Sequence, residues 1–430
     1  MNLTRRRLLG TAATAGVAAT VAGCEADRPE PVVAPPSFDP KSWDSVRAQF
    51  ALDPKRSHLA TYVFAPHPQP VRAAIARHRD GLDADAIGYL HEHEEELDEA
   101  VASAAAVQLD TRPTQLAFTD STTMGLGLLY TGLRLRAGDE VLTTEHDFYA
   151  THESLRLRSE RDGVRVRRVQ LYDDPAATSV DEIVGRLVGA VTTRVRVVAI
   201  TWVHSGTGVK LPVRQIADAL RERNPEALLC VDGVHGFGAE AATPDQLGCD
   251  FLVSGCHKWL LGPRGTGLVW GSSRGWAATT PVIPTFDRRG IGRWLGFSPG
   301  ALPPGAAHTP GGYHSFEHRW ALADAFGFHA SIGRDRVAAR TRELADRLKA
   351  GLAGIAGIRL VTPRSPTLSG GVVCCQVPGI SVNEAVARVA AAGVVASSTP
   401  YQQSYLRFGA TIANSYEDVD KAVRAVRGLV

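Results

Sequence analysis

Between Thr114 and Gly271 one pattern repeats: a short apolar run, then a stretch with helical spacing. The runs are Gln115–Thr119, Glu140–Thr144, Arg165–Leu171, Val195–Val203, Ala227–Asp232, Asp250–Ser254 and Gly267–Gly271, with helical segments such as Val180–Ala190 and Val213–Arg223 between them. Several runs are nearly continuous in Val, Leu and Ile. They have no polar face to give to water, so both faces must be covered. Such repetition predicts an α/β fold on a mainly parallel seven-stranded sheet with helices on both sides. In such sheets ligands bind beyond the C-terminal strand ends.

Outside this region the periodicity changes. Residues 42–108 are polar with helical spacing, broken by one extended stretch near Leu59–Ala65. The Gly- and Pro-rich segment Trp276–Tyr313 predicts a long surface crossing, and a long helical region runs from Ser315 to about Gly354. The last part predicts strand at Gly370–Val377, helix at Val382–Ala392, strand at Tyr405–Gly409 and helix at Tyr416–Gly428. That is a compact α+β unit. The domain boundary is therefore placed inside the long helix, with a large domain over 42–335 and a small C-terminal domain over 336–430.

The first residues read as a processing signal rather than as fold. Thr4-Arg5-Arg6-Arg7-Leu8-Leu9 is a twin-arginine pattern, and the apolar run Leu8–Ala22 has signal-peptide length and is short for a membrane span. Val21-Ala22-Gly23-Cys24 resembles a bacterial lipobox. Their order predicts a signal over 1–23, export through the twin-arginine machinery, lipidation at Cys24 and a Pro-rich tether over 24–41. The expected location is the periplasm or the outer face of the cytoplasmic membrane, touched only through the lipid. The alternative is a cytoplasmic enzyme with a misleading N-terminus.

Without residues 1–23 the chain carries 44 basic and 45 acidic residues, so the charge balance gives nucleic-acid binding no support. Cys24 apart, the cysteines are Cys230, Cys249, Cys256, Cys374 and Cys375. An odd number without CxxC spacing argues against a disulfide framework or a metal knuckle, and they read as buried thiols. His91-Glu92-His93 lies in a polar helical stretch with no third partner and reads as a solvated face, not a metal site.

The chemistry-bearing string is Phe251-Leu252-Val253-Ser254-Gly255-Cys256-His257-Lys258-Trp259. With six lysines against 41 arginines, a lysine just past a strand end suggests a need for a deprotonable amine, which arginine cannot supply. Alone the signal is weak. The buried strand Leu229-Cys230-Val231-Asp232-Gly233-Val234-His235 adds a carboxylate at its own C-terminal end, where Asp232 alone would read as a turn or cap residue. Upstream, Asp120-Ser121-Thr122-Thr123 opens an apolar helix. Hydroxyls and free N–H groups there suit a phosphate, whereas an ordinary N-cap explains Ser121 but not the whole cluster.

These motifs, in this order, resemble aminotransferase class V, a fold type I pyridoxal 5′-phosphate (PLP) family that includes cysteine desulfurases, kynureninases and isopenicillin N epimerase-like proteins. The resemblance covers roughly residues 55–430. It implies that Lys258 holds the cofactor as a Schiff base and moves protons, that Asp232 pairs with the pyridine nitrogen, and that His235 donates to the ring hydroxyl. It implies that His146, in Glu145-His146-Asp147, stacks on the ring, with Phe148 the other candidate. Ser121, Thr122, Ser254 and His257 would hold the phosphate. Thr309, in His308-Thr309-Pro310-Gly311, would complete that cup from a partner subunit, which implies a homodimer. Ser205 falls where desulfurases usually have asparagine. Arg407, in Leu406-Arg407-Phe408-Gly409, would clamp a substrate α-carboxylate, with domain packing as the alternative.

One departure is informative. Desulfurases need a mobile cysteine shortly before that arginine, and Ala396-Ser397-Ser398-Thr399-Pro400-Tyr401-Gln402-Gln403 has none. The strings around Val234-His235, Gly-Val-Lys-Leu-Pro (208–212) and Pro310–His318 resemble the isopenicillin N epimerase-like branch. The expectation is an enzyme acting on an amino acid or peptide-like substrate by transamination or epimerisation. C–S elimination, or periplasmic tailoring of a secreted peptide or siderophore, is the alternative, and a lipid-anchored binding protein with a degenerate PLP fold the non-enzymatic one.

Overall fold

The computed structural model describes residues 37–297 and 300–430; the twin-arginine pattern, Cys24 and the tether up to Pro36 lie outside them. A two-residue strand, β1 (Ser57–His58), precedes β2 (Leu116–Thr119), β3 (Glu140–Thr144), β4 (Arg165–Val169), β5 (Val195–Thr201), β6 (Leu228–Asp232), β7 (Phe251–Gly255) and β8 (Gly267–Gly271). The last seven form one sheet in the order β2-β8-β7-β6-β5-β3-β4. Strands β3 through β7 pair in parallel, and β8 runs antiparallel to both β7 and β2.

The central runs are mostly apolar because successive residues enter different cores, whereas the edge strand β4 carries three arginines and has no fully buried residue. In β5, Val198 and Ile200 pack with Leu187 and Ile216 on one face. Val197 and Ala199 pack with Leu126 and Leu155 on the other. The helices Val180–Gly189 and Val213–Arg223 cover the first face, and Thr122–Gly132 and Tyr149–Asp162 the second.

A second sheet follows. Its strands β9 (Arg359–Leu360), β10 (Val372–Gln376), β12 (Ser397–Ser398) and β13 (Leu406–Gly409) pair antiparallel in the order β12-β13-β10-β9. The helices Arg334–Ala353, Val382–Ala391 and Tyr416–Arg427 pack on it around Leu344, Leu348, Val389, Phe408 and Val419. Leu59 belongs to this core too, because β1 pairs in parallel with β11 (Val394–Val395).

The structure differs from the sequence expectation in three places. The stretch near Leu59–Ala65 is a run of turns, with the extended part confined to β1. The crossing Trp276–Tyr313 contains the short helices Arg288–Trp294 and Pro304–His308, and Trp276 is buried edge-on against Phe251. The long helical region is three helices, Phe316–Trp320, Leu322–Ile332 and Arg334–Ala353. Its second break falls at Gly333, whose φ of 95° no helix accommodates.

Candidate active site

Strand order positions the site. From β3 the chain goes to β4 on one side, then returns to β5 on the other, so the direction of winding reverses between β3 and β5. Connections diverge there and leave a crevice at the C-terminal ends. Asp147 spans it. Its buried carboxylate accepts from Thr143 Oγ1 (2.7 Å), Thr144 N (2.7 Å) and, across the gap, Thr201 N (2.7 Å).

Around that crevice the strand ends deliver most of the expected residues. Ser121 and Thr122 follow β2, His146 follows β3, Ser205 follows β5, Asp232 ends β6, and Ser254, His257 and Lys258 close β7. Gly233 and Gly236 let the chain turn tightly after Asp232: a Cβ at Gly236 would sit 2.2 Å from the Trp202 ring.

Asp232 is 1% exposed, and one oxygen accepts the Val234 N–H at 3.0 Å. Burial pushes its carboxyl up, against the pull of that N–H and of Lys258. Burial holds the Lys258 amine below the usual lysine range, and Arg407 adds to the effect while Asp232 opposes it. The amine lies 3.4 Å from His235 Nε2, and the Trp259 indole N–H donates to His235 Nδ1 at 3.2 Å. Since the indole can only donate, the neutral imidazole carries its hydrogen on Nε2 and directs it at the lysine nitrogen. That N–H suits the amine in its free-base form, the form a nucleophilic amine requires.

Beyond β2, Ser121 caps the helix Thr122–Gly132 by accepting from Met124 N (3.1 Å). The Thr122 hydroxyl is buried and has no hydrogen-bond partner among the described residues. A Cβ at Gly255 would meet His257 at 2.9 Å and Thr122 Oγ1 at 3.1 Å, so glycine keeps the space between them open. His257 Nδ1 faces the Thr266 carbonyl at 3.4 Å, and the Ser254 hydroxyl donates to Gly255 O at 3.1 Å. An orphaned hydroxyl at a helix start, beside a gap that only glycine leaves, fits a phosphate group.

Arg407 reaches the same end of the sheet from β13. It is 6% exposed, its Nε donates to Ser397 Oγ (3.1 Å) and its Nη1 to Ser205 O (3.1 Å). Among the described residues it makes no ion pair. The Ser205 hydroxyl is bound to Tyr401 OH at 2.7 Å.

Two residues stand differently from the picture the resemblance implies. His146 stacks on Tyr172 (3.9 Å, 9°), and its Nε2 accepts the Leu171 N–H at 3.2 Å. Phe148 meets Tyr401 edge-on at 6.1 Å and so borders the Ser205 side of the crevice. Thr309 ends the helix Pro304–His308, and its hydroxyl is engaged within its own chain, accepting from Phe118 N and donating to Gly305 O, both at 3.1 Å.

Sequence reasoning missed Asp147, Tyr62, Ser397 and Tyr401 as members of this site. Only Asp147 carried a signal, an acid just beyond a buried strand. The others arrive from turns and short strands that have no periodicity to read.

The family description aminotransferase class V matches residues 68–422. The chain belongs to that family. Its cofactor is the family's, pyridoxal 5′-phosphate, and the acid, amine and phosphate gap described above fit it. Among curated relatives, isopenicillin N epimerase of Streptomyces clavuligerus is 28% identical over 348 residues, 78% of this chain and 84% of that protein. A probable cysteine desulfurase of Xylella fastidiosa is 26% identical over 78% of this chain and 80% of its own length. Two solved structures share the fold. An apo cysteine desulfurase from Thermococcus onnurineus has a TM-score of 0.76 at 18% identity, covering 90% of this chain and 98% of that one. The cystine C–S lyase C-DES in complex with cysteine persulfide also has a TM-score of 0.76, at 17% identity, covering 86% and 97%.

Proposed function

We propose that the chain is a PLP enzyme of the isopenicillin N epimerase-like branch, acting at the amino group or Cα of an amino acid or peptide-like substrate by epimerisation or transamination. The observation that carries this reading is Arg407. A buried guanidinium without an acid costs several kcal/mol unless an anion arrives. A substrate carboxylate supplies one and is then fixed relative to Lys258.

When bound, PLP supplies an electron sink that acidifies the Cα proton. The chain's own groups do the rest. Asp232 keeps the pyridine nitrogen protonated, Lys258 takes and returns protons at Cα, and the imidazole N–H of His235 orients the lysine nitrogen. Ser121, Thr122, Ser254 and His257 hold the phosphate. Arg407 sets which Cα bond faces the amine, and His146, with Phe148 as the other candidate, would flank the cofactor ring.

The usual desulfurase route is disfavoured. Residues 396–403 offer no thiol, and Cys374 and Cys375 lie buried in β10, the Cys374 thiol pushed up to about 12 by burial. Thiolate, not thiol, is the sulfur acceptor such chemistry needs. Export by the twin-arginine route, lipidation at Cys24, a periplasmic location and a homodimeric assembly complete the proposal, with late tailoring of an exported peptide-like product as the setting that unites them.

The deciding experiment follows the loaded enzyme with D- and L-amino acids and short peptides in deuterated water. Deuterium at Cα with loss of optical purity indicates epimerisation, a 2-keto acid that keeps the substrate's side chain, formed without ammonia, indicates transamination, and ammonia with loss of a β-substituent indicates elimination. No change of visible absorbance and no product with any substrate would overturn the enzymatic reading.

A further inference from the structure

We infer that Tyr62 is a positioning residue that fixes the orientation of the Arg407 guanidinium above the Lys258–His235 pair. This rests on Arg407 being the carboxylate clamp. Tyr62 lies in the turns after β1, far in sequence from both groups, and is fully buried. Its ring stacks on Trp259 (5.2 Å, 27°), meets His235 at 5.9 Å, and has the Arg407 guanidinium carbon over its face at 5.5 Å. Trp259 is the same side chain whose N–H fixes the His235 tautomer. A Cβ at Gly409, two residues past Arg407 on β13, would sit 2.5 Å from the Tyr62 ring, so glycine is what lets the strand lie against it.

Ser397 is the hydroxyl that joins Tyr62 to Arg407. Ser397 Oγ lies 3.1 Å from Tyr62 OH, accepts Arg407 Nε–H at 3.1 Å, and lies 3.5 Å from Arg407 O. Whichever hydroxyl donates, the Tyr62–Ser397 bond anchors the oxygen that receives Arg407 Nε–H. Burial pushes the phenol up to about 12, so it keeps its proton at neutral pH. Nε is tied to Ser397 and Nη1 to Ser205 O, while Nη2 makes no hydrogen bond among the described residues and is the corner left for the anion. Without the phenol, Ser397 loses its second anchor and the fork can swing in its plane.

The test compares Tyr62→Phe, Ser397→Ala and Arg407→Gln with wild type. Calorimetry measures binding of unreactive monocarboxylates, propionate to hexanoate, to the PLP-loaded protein, and kinetics separate KM from kcat. In Tyr62→Phe the ring stays and one hydrogen bond goes, so carboxylate affinity should fall about tenfold and KM rise in step, with kcat nearly unchanged. Ser397→Ala should do the same, and it decides the matter if the Tyr62 variant does not fold. Wild-type carboxylate affinity in both variants, or a fall in kcat with KM unchanged, overturns the positioning role while leaving the clamp intact. Wild-type affinity in Arg407→Gln overturns the clamp reading and the inference with it.

Discussion

At Asp232, burial and function pull in opposite directions. The carboxyl is almost fully enclosed and raised by burial, yet it must be anionic to hold a proton on the cofactor. Asp232→Asn keeps the shape and an acceptor for the Val234 N–H but removes the charge. We expect kcat to fall by about 10²-fold or more. The melting temperature of the apoprotein should not fall, because the amide has no charge to desolvate. Calorimetry beside steady-state kinetics checks both halves, and a parallel loss of stability would count against the role. Lys258 and Asp232 were legible in the sequence because each follows a buried run with a residue type that a purely structural site would not favour. Tyr62 was not legible. Its role depends on a ring packed among partners from both sheets, and nothing in its neighbourhood of sequence reports them.

Among the elements, the reversal between β3 and β5 is the decisive one, and Asp147 is what closes it. Three short hydrogen bonds converge on that carboxylate from two strands that do not follow one another. Asp147→Asn trades acceptors for an amide donor that cannot satisfy all three. We expect a loss of about 2–3 kcal/mol of stability, read as a lower denaturation midpoint with unchanged slope. The central strands of the large sheet were legible at nearly their observed bounds because burial on both faces makes the run apolar. Two-residue strands such as β1, β9, β11 and β12 carry no periodicity and exist only through their neighbours. The break at Gly333 was hidden because the helical spacing resumes on its far side.

The whole molecule stores neutral histidines. Burial is the first cause holding His67, His78 and His329 down to about 4, and His146 and His204 to about 3. In the unfolded chain they titrate near 6.5. Between that pH and 4 the unfolded chain binds protons that the native one refuses, so stability falls as pH drops through the window. Each histidine contributes at most about 1.4 kcal/mol per pH unit. Asp98, Asp232 and Asp324, raised by burial, act in the opposite sense and are outnumbered. Scanning calorimetry of the apoprotein should show the melting temperature declining steadily from pH 7 to pH 5, and a flat profile would contradict the account.

The pairing of β1 with β11 joins Ser57 to Val394 and His58 to Val395. It also sets a schedule. Lys258 and Asp232 leave the ribosome before Arg407 and before the strand that pins the turns holding Tyr62. At ordinary synthesis rates of about 5–20 residues per second, Tyr62 waits roughly 20–70 s for its partners. The order of the chain thus delivers the lysine before the arginine, and the core of the large sheet is complete only when Val372, Cys374 and Tyr405 have joined it.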